Sequence, residues 1–331
     1  MRILILSDHI DLQKNRNSIL NVYYELKSSD DEVLFLSTGY NILRFIFSKI
    51  PIKIFVDYYK NRHSVLKLLF PLQILYKVGL RKYFEKYWIL EFVRKIHKYS
   101  PEIILAEAGT PSLILMYLMQ GAHQYKYIYR INDPIGIFRR NDLLVSAHEY
   151  ILNNKESVSL KISVPHSSVS EVYDEILMPG LNIDFLKNNA KGVSIENKIV
   201  YIGKFPLPSK FIKEVHSRFP DYLFFYTGST TKFHKKSVPL GILPYAELFK
   251  HLRGAGFFVM YFPDSENYQA FLSSNKMIIY SYLNRPILSN INNQELKKNG
   301  IFHLSDKDFI YTKHNKNYLS WSDHVKLLFQ I

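Results

Sequence analysis

Short apolar runs recur along the chain, spaced so that one helix fits between most neighbouring pairs. RILILS (2–7), EVLFLST (32–38), EIILAEA (102–108), YKYIYRI (125–131), LKISVP (160–165) and EILMPG (175–180) read as strands. Helix-length patterns separate most of them, for example Ser18 to Lys27 and Ser112 to Gln120. Strands this apolar, alternating with helices, predict a parallel sheet covered on both faces. A polar stretch, LKNNAKGVSIEN (186–197), reads as a linker. The alternation then restarts with KIVYIGK (198–204), a helix from Ser209 to Arg218, YLFFYTG (222–228) and SVPLGIL (237–243). A helix from Tyr245 to Arg253, FFVMYF (257–262), a short helix from Lys276 to about Leu283 and PILS (286–289) complete it. The pattern predicts two tandem Rossmann-like α/β domains, residues 1–186 and 187–319, with a cleft between them.

Composition changes this picture at one place. The 331 residues carry a net charge of +14 and no cysteine, which excludes disulfides and thiolate metal sites. Residues 41–100 alone hold 13 basic and 3 acidic side chains together with 13 aromatics. A basic, aromatic-rich segment points to an anionic partner, a membrane surface or a nucleic acid. No helix-turn-helix, zinc-finger or RNA-recognition pattern is visible, so no nucleic acid is expected. No uncharged apolar run reaches the roughly 18 residues of a spanning helix, and the first residues lack the features of a signal peptide. The expectation is a cytoplasmic protein lying on the inner face of the plasma membrane through residues 41–100. The plainer reading is that these are helices of the first domain, apolar inward and basic outward.

Candidate chemistry gathers in the second half. Ligands of open α/β sheets sit beyond the carboxyl ends of the strands, and Gly203, Lys204, Gly228, Gly241 and Tyr261 occupy such ends. The following stretch, FLSSNKMIIYSYLNRPILS (271–289), opens a helix at Ser273 or Ser274, which are good N-caps. Lys276 then stands in the first turn, where the helix dipole favours an acidic side chain. A diphosphate bound at that terminus would reverse the preference and make the lysine favourable. A lysine that merely reaches solvent is the alternative.

The same residues carry a family pattern. Two Rossmann-like domains, MPGLNIDFL (178–186) at the junction and VPLGILPYAELFKHLRGAGFFVMYFPD (238–264) resemble a GT-B glycosyltransferase. YFPDSENYQAFLSSNKMIIYSYLNRPILS (261–289) is similar to the GumK-type inverting glucuronosyltransferases, which carry a Tyr, a loop, then Ser-Ser-x-Lys opening a helix. The resemblance implies transfer of a sugar from a UDP-sugar to a lipid-linked glycan acceptor in bacterial surface-glycan synthesis. It implies that Tyr261, Ser273, Ser274, Asn275 and Lys276 line the nucleotide site. Asn275 stands where the family has Met, and Ile279 where it has Gln. The resemblance also makes Asp133, in YRINDP (129–134), the catalytic base, and Asp184 a matching acidic position at the junction. The C-terminal helix, residues 320–331 with Trp321, resembles the one that crosses back onto the first domain. The retaining signature, two Glu with seven residues between them, is absent from this region; Glu266 has Ser274 eight positions on.

Inverting transfer needs a base for the acceptor hydroxyl and positive charge for the departing diphosphate. Glu107 at the end of IILAE is the rival of Asp133, while His9 and Arg139-Arg140 are weaker site candidates. The twelve histidines show no metal-ligand spacing, so neither a metal nor a cofactor is expected. A GT-B-shaped nucleotide-sugar epimerase is the alternative enzyme, and a basic nucleic-acid-binding protein a weaker one.

Overall fold

The computed structural model describes residues 1–8, 18–38, 81–121, 125–131, 142–162, 175–177, 180–190, 194–203, 207–227, 234–241, 243–262, 274–309 and 318–330. Among these, the first sheet contains β1 (Arg2–Ser7), β2 (Glu32–Ser37), β3 (Ile103–Glu107), β4 (Lys126–Ile131), β5 (Ser159–Ile162) and β6 (Glu175–Ile176). They run parallel in the order β2-β1-β3-β4-β5-β6. Alternate side chains of a strand point to opposite faces, and both faces are buried. Ile3, Ile5, Ile103 and Leu105 pack against Ile19, Leu20 and Leu26 of α1 (Ser18–Lys27). Leu4, Leu6, Ile104 and Tyr129 face α2 (Arg81–Tyr99), α3 (Thr110–Met119) and α4 (Asp142–Asn153).

Trp88, Ile89, Phe92 and Ile96 of α2 are core residues of that second face. Their spacing is one helix stripe, and the sheet has taken it. This takes Trp88 out of the membrane reading: it packs inward, while Lys95 stays outside and pairs with Glu91 at 2.8 Å. Residues 41–80 lie outside the described residues.

The second sheet is β7 (Glu196–Tyr201), β8 (Leu223–Thr227), β9 (Ser237–Gly241), β10 (Ala255–Met260), β11 (Ile287–Ser289) and β12 (Ile301–His303). All described neighbours are parallel, in the order β12-β11-β10-β7-β8-β9. The chain winds to one side of β7 and then returns to the other, so the switch point lies between β7 and β10. One face carries α5 (Ile183–Ala190), α7 (Tyr245–Arg253), α8 (Asn275–Leu283) and α9 (Gln294–Lys298); the other carries α6 (Ser209–Arg218).

The polar run 186–197 is not a linker throughout. Residues 183–190 form α5, whose Leu186 is fully buried in the second core with Leu181, and β7 begins at Glu196. Its Asn and Lys residues are the solvent side of an amphipathic helix. The chain passes between the sheets just before this, and it returns beside the same point. The Leu181 amide donates to the Leu319 carbonyl at 2.8 Å, and α10 (Trp321–Leu328) follows. Trp321 and Leu328 join the α1 face of the first sheet. A Cβ at Gly180 would meet Trp321 at 2.8 Å, so only glycine lets the indole sit there.

Candidate active site

The two sheets treat their switch points differently. In the first, α3 follows β3, and its N-terminus is filled by the protein itself. The Thr110 amide donates to Asp8 Oδ2 at 2.9 Å, while the Thr38 hydroxyl donates to Oδ1 of the same carboxylate. Gly109, at φ +129°, makes room: a Cβ there would come 2.7 Å from Asp8 Oδ2. A carboxylate at a helix N-terminus is the favourable arrangement.

The helix in the corresponding place of the second sheet, after β10, is α8. Ser274 is its N-cap with extended backbone, its side chain makes no capping hydrogen bond, and no acidic residue occupies the first turn. Lys276 stands there instead, its Nζ 5.6 Å from the centroid of the Tyr201 ring. Burial lowers the Lys276 pKa to about 8. Among the described residues no carboxylate pairs with it.

One helix turn further on, Tyr280 fixes this arrangement. Residues four apart share a helix face, and Tyr280 is fully buried with its ring stacked on Phe258 at 4.2 Å. Its hydroxyl accepts from the Ile202 amide at 2.9 Å, just past the end of β7. That bond pins α8 to β7 and holds Lys276 over Tyr201. Burial raises the Tyr201 phenol to about 12, so the ring beneath Lys276 stays neutral at physiological pH.

Two further clamps shape the crevice. Thr227 Oγ1 accepts from the Gly203 amide at 2.9 Å and donates to its carbonyl at 3.1 Å, tying the ends of β7 and β8. The Asn290 side chain accepts from the Phe262 amide and donates to its carbonyl, both at 2.8 Å, which extends the β10–β11 pairing past the strand ends. Tyr261, next to Phe262, leans edge-on against Phe211 of α6 at 5.2 Å.

The structure therefore brings Gly203, Tyr261, Ser274 and Lys276 to one edge, with Asn275 as the first residue of α8. Gly203 has a cause besides a ligand: a Cβ there would meet the Tyr201 hydroxyl at 2.1 Å, so the glycine accommodates the tyrosine. Lys204, Gly228, Ser273 and Asp133 lie outside the described residues, as do His9, Arg139 and Arg140. Tyr201, Thr227, Tyr280 and Asn290 were not singled out from sequence. Tyr201 carried the best signal, a polar-tipped aromatic two residues before a strand-end glycine.

Glu107 does not stand in a solvated loop. Ser7 donates to its Oε2 at 2.5 Å, and Arg130 Nη1 lies 3.7 Å from its Oε1, with Arg130 1% exposed. Strand register explains the grouping. Ser37 pairs with Ser7, Glu107 with Arg130, Arg130 with Lys161 and Lys161 with Glu175, so a polar row crosses the first sheet one residue per strand. The C-terminal segment covers part of it: Arg130 Nη2 is 3.4 Å from His324 Nε2 of α10, and Lys161 Nζ donates to the Gln330 carbonyl at 3.4 Å. Ser7 and Arg130 thus each face one oxygen of the Glu107 carboxylate. Among the described residues no group of three or more His, Asp or Glu side chains is placed to hold a metal ion.

No family model matches the sequence, and no curated protein matches it. Solved structures do. The UDP-GlcNAc 2-epimerase of Methanocaldococcus jannaschii superimposes with a TM-score of 0.54 at 10% identity, over 99% of this chain and 98% of its own. The N-terminal domain of Candida albicans trehalose-6-phosphate phosphatase gives a TM-score of 0.50 at 12% identity, over 98% and 90%. The spinosyn rhamnosyltransferase SpnG, solved with spinosyn aglycone, gives 0.49 at 12%, over 99% and 91%. Identities this low speak to architecture alone, and the architecture is that of the GT-B fold: two parallel α/β sheets flanked by helices.

Proposed function

We propose that this protein is a glycosyltransferase that binds a nucleoside diphosphate sugar, UDP-linked, at the β7–β10 switch point and transfers the sugar with inversion. The observation that carries this is Lys276: an ammonium desolvated in the first turn of α8, without a carboxylate partner among the described residues. In the absence of a ligand that placement is unfavourable. A diphosphate supplies the missing negative charge to both the lysine and the helix amides. In the first sheet Asp8 plays that part internally, which supports a single nucleotide site in the second.

In this reading Lys276 and the α8 terminus stabilise the charge that develops on the departing diphosphate. Asp133 takes the proton of the acceptor hydroxyl, because Glu107 is held by Arg130 and Ser7. The acceptor is a lipid-linked glycan of bacterial surface-polysaccharide assembly, met at an anionic membrane surface. The epimerase reading has one point in its favour, the superposition on a UDP-GlcNAc 2-epimerase.

A thermal-shift screen of nucleoside diphosphates and UDP-sugars tests the donor, since a ligand that binds only the folded state raises its melting temperature. UDP-sugar turnover with and without a lipid-linked acceptor then separates the two enzymes. Asp133→Asn should fold and bind UDP yet lose about 100-fold or more of transfer. Conversion of the UDP-sugar without any acceptor would replace transfer by epimerisation.

A further inference from the structure

A cavity of about 380 Å³ lies where the chain crosses between the sheets, walled by α1, the start of α5 and the start of α10. Its walls are fixed. The Phe185 amide donates to Asn182 Oδ1 at 3.1 Å, and the Asp323 amide donates to Ser320 Oγ at 3.0 Å, so both helix starts are capped by their own side chains. The Leu181–Leu319 backbone bond joins the two crossings behind them. A smaller cavity of about 40 Å³ adjoins it, sharing Asn21 and Trp321 and reaching Tyr245 and Ile279. Ile279 is one turn from Lys276 on α8, so this smaller cavity lies on the side of the proposed donor site.

Glu25, Asp184 and Lys187 line the cavity, and among the described residues no ion pair joins them. The carboxylates can only accept hydrogen bonds, and the ammonium can only donate. A ligand that satisfies all three must both donate and accept at several points, as neighbouring hydroxyls do. A phosphate or nucleotide would meet two carboxylates against one cation, while a wholly apolar ligand would strip water from all three charges without replacing it. Ile183 and Trp321 add an apolar wall suited to the C–H face of a ring. The volume falls in the roughly 300–1,000 Å³ range of small-molecule sites.

We propose that this cavity binds a neutral or amine-bearing sugar unit, at a site distinct from the nucleotide crevice. The inference rests on the cavity and not on the donor-site reading. The sugar is either one unit of a larger glycan or a free sugar acting as an effector. Saturation-transfer NMR with glucose, glucosamine, N-acetylglucosamine and their methyl glycosides tests it, with inorganic phosphate as counter-probe and a parallel UDP titration. At least one sugar should bind, and Glu25→Gln and Asp184→Asn should each weaken it about tenfold or more, the scale of a lost charged hydrogen bond. UDP affinity should not move. Binding of methyl glycosides identifies a glycan unit, whereas binding of reducing sugars alone identifies a free sugar. No transfer to any of these sugars, sugar affinity unchanged in both variants, phosphate binding at the same residues, or equal loss of UDP binding would each overturn the proposal. Absence of UDP binding to the wild type, with sugar binding intact, would sink the donor reading and leave this one standing.

Discussion

Replacing Lys276 by methionine, which keeps length and removes charge, separates what this lysine costs the folded chain from what it gives a ligand. Burial lowers its pKa from 10.5 to about 8, which makes the protonated form about 3 kcal/mol less favourable folded than unfolded. The Tyr201 ring beneath it returns up to ~1 kcal/mol. Lys276→Met should therefore stabilise the unliganded protein by about 2 kcal/mol at pH 7, a Tm rise of roughly 4–8 °C for a chain whose domains are this size. The sign can be followed with pH. The unfolded chain binds more protons than the folded one between pH 8 and 10.5, so this lysine adds stability as pH rises through that window. The advantage of the methionine variant should be fully present below pH 8 and shrink to nothing towards pH 10.5. UDP should reverse the ranking. A charged hydrogen bond is worth about 1.5–3 kcal/mol, so the variant should bind UDP roughly 10- to 100-fold more weakly by calorimetry. Urea denaturation at pH 7 and pH 10, with and without UDP, gives all of these quantities. A variant less stable than wild type at pH 7, or one that binds UDP equally well, would refute the argument.

The buried pair in the first sheet should behave as a unit. Glu107→Gln or Arg130→Met alone should cost about 3–5 kcal/mol in urea unfolding by taking the opposite charge away from a buried ion, and the double variant less than the worse single. His148, 3% exposed and within 2.8 Å of the Tyr129 hydroxyl, has its pKa lowered by burial to about 4. The unfolded chain therefore binds the extra proton between about pH 6.5 and 4, and stability should fall as pH drops through that window, by up to about 1.4 kcal/mol per unit; a His148→Phe variant should show a shallower acid dependence. Flotation with anionic liposomes at low salt should carry the protein upward, and joint replacement of Arg81, Lys82 and Lys86 by Glu should weaken it by about 1 kcal/mol per engaged charge. Sedimentation away from the liposomes at low salt would remove the membrane from the proposal.

The alternation of strands and helices was legible in the chain because it depends on local periodicity. Ser18–Lys27, Ser209–Arg218 and Tyr245–Arg253 form helices with the bounds their patterns predict, and the strand runs fall on β1 to β11 within a few residues. The anomaly of Lys276 was also legible, since a helix start and the sign of a charge are both local. The three-residue β12 and the five-residue α9 escaped notice because neither is long enough to show a period. The linker reading of 186–197 failed because a short helix with one buried stripe looks polar until its partner is known. Other features came only from tertiary structure. Glu107 looked like a cleft carboxylate, and register with Arg130, twenty-three residues away in sequence, made it a buried ion pair. Gly203 looked like a place for a ligand, and the Tyr201 ring explains it first. Trp88 looked suited to a lipid boundary, yet the first sheet buries it. Sequence records what each residue can do with its near neighbours. Which distant group meets it, and so whether a charge is paired, buried or left for a ligand, is settled only when the strands are brought into register.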